Sequence, residues 1–94
     1  MKAIVWGSSF KHAYKKAVRR HPTWRRRIAD TLDHLAEDPF LPRLDTHKLK
    51  GDLVGLWACT VAYDCRLVFE FVRHPGSGDD EILLIDIGTH DEVY

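Results

Sequence analysis

The chain has little of what marks a specialised protein. Its 94 residues leave no room for a second domain, so residues 1–94 are read as one unit with one modest core. Two cysteines, Cys59 and Cys65, are too few for a disulfide framework. The five residues between them are also the wrong spacing for a zinc knuckle. Both fall in strand-like sequence and read as small buried side chains. No apolar run approaches the roughly 18 residues of a membrane span. The first residues, MKAIVWGSSFKHAYKK, lack the pattern of a signal peptide, so the chain is expected in the cytoplasm. A Gly-rich phosphate loop, a GxSxG elbow and an HExxH motif are all missing. The histidines at positions 12, 21, 34, 47, 74 and 90 are scattered without metal-ligand spacing, so no metal or other cofactor is expected.

Net charge is missing too, since 14 basic residues balance 14 acidic ones. The balance hides an asymmetry. Residues 1–50 hold 12 Lys/Arg against 5 Asp/Glu, and residues 51–94 hold 2 against 9, so the halves carry +7 and −7. A basic half can face phosphates or an acidic protein even in a neutral chain; equally, the two halves can attract each other across the fold. A hydrophobic fraction of 45% and three tryptophans argue for a folded chain.

The apolar pattern sets the order of elements. Lys2–Trp6 is a short strand-like run ended by Gly7, after which Ser8 or Ser9 is a candidate helix cap. Phe10, Ala13, Tyr14 and Ala17 or Val18 then recur at helical spacing until His21-Pro22 breaks the helix. Thr23 is a candidate cap for a second helix, whose stripe is Trp24, Ile28, Leu32 and Leu35 or Ala36. Arg25, Arg26 and Arg27 crowd its first turn, which opposes the helix dipole, so helix stability does not explain them. Asp38-Pro39 ends it. From His47 the period shortens: His47–Leu49 reads as a short strand, Gly51-Asp52 as a turn. Leu56–Ala62, Cys65–Val72 and Glu81–Ile87 read as three strands, with Tyr63-Asp64 and His74–Asp80 as the turns between them. Short links imply an antiparallel meander. The expected fold is α+β, β-α-α-β-β-β, with two N-terminal helices on a small, mostly antiparallel sheet.

Polar chemistry gathers at strand ends. His47 opens a strand, Asp64 and Arg66 flank a turn, and His90, Asp91 and Tyr94 follow the last strand. Histidine, carboxylate, arginine and tyrosine are what metal-free RNA cleavage uses. A base takes the 2′-OH proton, a cation steadies the phosphate, and an acid protonates the leaving 5′-oxygen.

The segments HKLKGDLVGLWACTVAYDCRLVFEFV (47–72) and ILLIDIGTHDEVY (82–94) carry a His-x-Leu-x-Gly opening, an Arg-Leu-Val-Phe strand after a turn, and a Gly-Thr-His close. With the two-helix front half, they make nearly the whole chain resemble the RelE/ParE toxin superfamily, closest to its YafQ branch. The resemblance implies a toxin of a type II toxin-antitoxin system that enters the ribosomal A site and cuts mRNA there. It also implies a cognate antitoxin that wraps the toxin in a hetero-oligomeric complex. On this resemblance His47, Asp64 and His90 are the catalytic candidates, and Tyr94 matches the branch's closing aromatic residue. Arg66 resembles the phosphate-holding arginine of RelE, with pairing to Asp64, Glu70 or a helix carboxylate as its other reading. Thr60 stands where the branch has a second histidine, a departure that leaves it as a hydrogen-bonding substitute. Arg25, Arg26 and Arg27 are candidates for gripping RNA phosphates, or are a solvated helix face. The alternative function on the same fold is a ParE-type poison of DNA gyrase, which has no need of His47, Asp64 and His90 together.

Overall fold

The computed structural model describes residues 1–73, 76 and 80–94. Strand β1 (Ala3–Trp6) runs through Gly7 directly into helix α1 (Ser8–Arg20). Space, not backbone freedom, requires the glycine: a Cβ there would lie 2.6 Å from the Leu84 carbonyl oxygen. Gly7 itself occupies the cap position of α1 and neither serine caps it; Ser9 instead donates its hydroxyl to the Ile85 carbonyl at 2.9 Å. This corrects the expected serine cap: the close approach of Gly7 to the sheet starts the helix one residue early. Helix α2 (Trp24–Glu37) follows, and Thr23 makes no capping bond because its backbone is already helical (φ −67°, ψ −18°). The ring of His21 stacks on Trp24 at 3.9 Å across the break between the helices.

The meander consists of β2 (His47–Lys48), β3 (Trp57–Ala62), β4 (Cys65–Arg73) and β5 (Asp80–Gly88), with a single 3-10 turn at Gly51–Leu53. Spatial order is β1-β5-β4-β3-β2, antiparallel throughout except that β1 lies parallel to β5. The sheet is therefore mixed, with one parallel pair at its edge. The turn expected at 74–80 falls largely outside the described residues.

Both helices cover one face of the sheet. Phe10, Ala17, Ile28 and Leu35 from the helices meet Cys59, Leu67, Phe69, Ile82 and Leu84 from the strands, all buried. The alternation of β3 and β4 turns Ala58 and Val68 to the opposite face, where Leu49, Leu56, Ile85 and Val93 pack on them. Val93 belongs to a third helix, α3 (His90–Val93), one turn long. A reciprocal cap closes this turn: the Thr89 hydroxyl accepts from the Glu92 N–H at 3.3 Å, and the Thr89 N–H donates to Glu92 Oε1 at 2.8 Å.

Candidate active site

Strand register assembles the candidate residues on the face that α1 and α2 leave uncovered. His47 pairs with Ala58, and two residues further along β3 Thr60 pairs with Arg66, which pairs in turn with Gly88. Directly opposed residues of antiparallel strands point to the same side, so His47, Thr60 and Arg66 share the face of Ala58 and Val68. Gly88 is followed at once by Thr89 and α3, which brings Tyr94 within reach of the Arg66 charge and packs His90 against Tyr94.

Each side chain has a local reason for its position. His47 Nδ1 lies 2.9 Å from the Asp45 carbonyl oxygen. A carbonyl only accepts, so Nδ1 carries the proton and Nε2 is left as the basic nitrogen. Asp45 makes this contact from a left-handed conformation (φ 49°) at the end of the 3-10 turn Pro42–Leu44. Arg66 is partly buried, and its Nη1 donates to the carbonyls of Ala62, Tyr63 and Cys65 at 3.0, 3.2 and 3.2 Å. The guanidinium thus ties off the β3–β4 hairpin. None of its described bonds goes to Asp64 or Glu70, and none uses Nε or Nη2.

Asp64 is exposed in that hairpin, with Oδ1 3.5 Å from the backbone N of His90. Its carboxylate meets the start of α3 and not an imidazole. The His90 ring packs edge-on against Tyr94, centroids 4.6 Å apart, and its Nδ1 lies 3.4 Å from Asp91 Oδ1. Burial pushes the Tyr94 phenol above its ordinary value, with Arg66 pulling the other way, so the hydroxyl keeps its proton near neutral pH. Tyr94 and His47 also line one hollow of about 370 Å³, together with Leu49, Lys50 and Asp52.

His47, Asp64, Arg66, His90 and Tyr94 are therefore neighbours or share a neighbour, and Thr60 faces Arg66 across the strands. Arg25, Arg26 and Arg27 are not part of this group. They are exposed on the helix layer and make no ion pair with a described residue, and only Arg27 reaches the sheet edge, beside Thr60. Three contributors escaped the sequence reading. Asp45 carries no motif. Thr89 and Glu92 do: Thr-x-x-Glu after an apolar run is a helix-start signature. Among the described residues, no three His, Cys, Asp or Glu side chains converge into a metal-binding group.

Residues 2–94 match the model of the family described as the YafQ bacterial toxin of type II toxin-antitoxin systems. The chain belongs to the YafQ toxin family. Solved structures agree in fold. YafQ from E. coli superposes with a TM-score of 0.80 at 18% identity, covering 100% of this chain and 99% of that one. The YoeB/ParE toxin from Agrobacterium tumefaciens gives 0.74 at 23% identity, covering 96% and 99%. The E. coli DinJ-YafQ toxin-antitoxin complex gives 0.75 at 20% identity, covering 99% and 97%. No curated protein matches the sequence at a significant level. As a YafQ-family toxin the chain has the α+β fold expected of that family, and among its described residues no helix is long and apolar enough to cross a membrane.

Proposed function

We propose that this YafQ-family toxin is a ribosome-dependent endoribonuclease that cuts mRNA in the ribosomal A site. The observation that carries the reading is the cluster on the uncovered face, where a histidine with a free Nε2, an arginine and a second histidine all surround Tyr94. His47 Nε2 takes the proton of the ribose 2′-OH. The 2′-oxygen attacks the adjacent phosphorus, forming the new O–P bond of a 2′,3′-cyclic phosphate as the P–O5′ bond breaks. His90 gives its proton to the departing 5′-oxygen, leaving a 5′-hydroxyl end. Arg66, held rigid through Nη1, offers Nε and Nη2 to the crowded phosphate, and the Tyr94 hydroxyl donates from the same side. Asp64 acts by holding the first residue of α3, and Thr60 offers a hydroxyl where other members have a histidine.

The solved DinJ-YafQ complex supports an antitoxin partner and a hetero-oligomeric resting state for this chain, acting in the cytoplasm where ribosomes are. The deciding experiment is single-turnover cleavage of programmed ribosomes, with chemical analysis of both RNA ends. A cyclic or 3′-phosphate and a 5′-hydroxyl are expected. Because acid, base and cation are all side chains, cleavage is expected to persist with EDTA when the ribosomes are kept intact by other means. Intact RNA together with inhibited DNA supercoiling by gyrase would instead establish the ParE-type activity.

A further inference from the structure

A second group of cations lies on the other side of Thr60. The outer edge of β3 is open beyond its short pairing with β2, which reaches only Trp57 and Ala58. There Thr60 and Val61 border a cleft of about 230 Å³ with Arg27, Asp30 and His34 of α2 and Arg43 of the 3-10 turn. Arg43 Nη1 lies 3.3 Å from His34 Nε2. A guanidinium has no acceptor atom, so the imidazole nitrogen accepts and the ring is neutral in this arrangement. Arg43 is thus held across the cleft by a group that does not cancel its charge. Arg27 makes no ion pair with a described residue, and among the described residues Asp30 is the one carboxylate that lines the cleft with the two guanidiniums. The Thr31 hydroxyl is already donated to the Arg27 carbonyl at 2.8 Å, and Thr60 borders the cleft from the strand edge while its side chain shares the face of Arg66.

We propose that this cleft is a second phosphate site, taking a phosphodiester of the same RNA strand that is held at Arg66. Two guanidiniums around a small hollow suit a phosphate, whose oxygens accept from both. Its location selects RNA over a protein carboxylate. Thr60 borders the cleft and is also the cross-strand neighbour of Arg66, so the cleft opens at the outer edge of the strand next to the one that carries Arg66. A chain crossing the edge of β3 meets both sites in succession. The contact is to the backbone, so it positions the strand without reading its sequence. The inference rests on the nuclease reading for the identity of the strand, and the two are tested separately.

The test measures binding of a short single-stranded RNA, 2′-O-methylated throughout so that it cannot be cut, across a range of KCl concentrations. Each lost phosphate contact lowers the slope of log affinity against log salt by about 0.7. Arg43→Ala is expected to weaken binding to every sequence about equally and to flatten the slope by about that amount, with Arg43→Lys recovering most of it. Titration of the wild type with the same RNA should shift the NMR signals of Arg27, His34, Arg43 and Thr60, a readout that does not depend on how a variant folds. Unchanged slope and unmoved signals overturn the site, as does a cleft that answers only to an acidic peptide. Wild-type cleavage of programmed ribosomes is followed in parallel. Cutting without a contribution from the cleft removes this inference and keeps the nuclease; binding through the cleft without cutting does the reverse.

Discussion

At the scale of single residues, the site divides labour between groups that are free and groups that are committed. Arg66 Nη1 and the Asp64 carboxylate both serve the backbone around the β3–β4 hairpin and α3, so replacing either changes geometry as well as charge. His90 differs. Its side chain is 64% exposed and is fixed chiefly by the edge of Tyr94, so little of the fold depends on it. Replacing it should therefore report on chemistry. His90→Gln is expected to slow single-turnover cleavage by about 10²–10⁴-fold, the usual contribution of one positioned acid, with circular dichroism and ribosome binding unchanged. A folded, ribosome-binding variant that cuts at the wild-type rate would falsify the assignment and move the acid role to Tyr94 or Arg66. The Thr60 departure also has a physical meaning at this scale. A hydroxyl cannot shuttle a proton near neutral pH as an imidazole can, so in the proposed reaction the proton transfers fall to His47 and His90, while Thr60 is left to donate a hydrogen bond.

At the scale of elements, the site depends on its smallest one. Helix α3 is a single turn, too short to be stable by itself, and it carries His90 with Tyr94 immediately after it. What holds it is the reciprocal Thr89–Glu92 cap, the Asp64 contact and the burial of Val93. The backbone bond from Thr89 is the main reason the Glu92 carboxyl titrates below its ordinary value. A depressed carboxylate contributes stability above its ordinary pKa and loses it as pH falls through the folded value, so α3 should loosen at acid pH before the sheet does. Thr89→Ala is expected to cost about 0.5–2 kcal/mol in denaturant unfolding, the range for a lost cap. Cleavage should fall further than that stability loss implies, because both rings move with the turn. Equal loss of activity and stability would place the two rings outside the reaction. Such a short turn shows no helical period, which is why apolar spacing did not reveal it, although its capping motif is written in the sequence. The helices and the meander were legible because their apolar residues recur over several turns or strands. The parallel partner of β1 was not, since four apolar residues show a strand but not its neighbour. The contact that decides it, Gly7 against Leu84, joins positions far apart in the chain.

At the scale of the whole molecule, core and charge make different demands. Cys59 and Cys65 lie fully buried beneath the helices, and burial pushes both thiols from 9.0 up to about 12. A raised thiol contributes stability that is complete below about 9 and is lost as pH rises through 12, so unfolding should accompany thiolate formation in that window. At neutral pH both thiols should resist alkylation until denaturant is added. Charge, by contrast, is only partly settled within the fold. Lys16 and Arg20 reach Glu92 at 3.6 and 3.5 Å, joining the basic and acidic halves, but these exposed pairs contribute little. Lys11, Lys15, Arg19 and the Arg25–Arg27 run remain exposed and without an ion pair to a described residue. A surface left this basic suits nucleic acid in the active state and an acidic segment in the inhibited one. The expectation is that inducing the chain alone arrests growth and fragments mRNA, and that co-expressing a neighbouring acidic antitoxin restores both. The purified pair should bind less tightly as salt rises, since screening weakens a charge-driven contact. Abundant soluble protein with normal growth and intact mRNA would count decisively against the proposed nuclease. Binding that ignores salt would count instead against a charge-driven seat for the antitoxin.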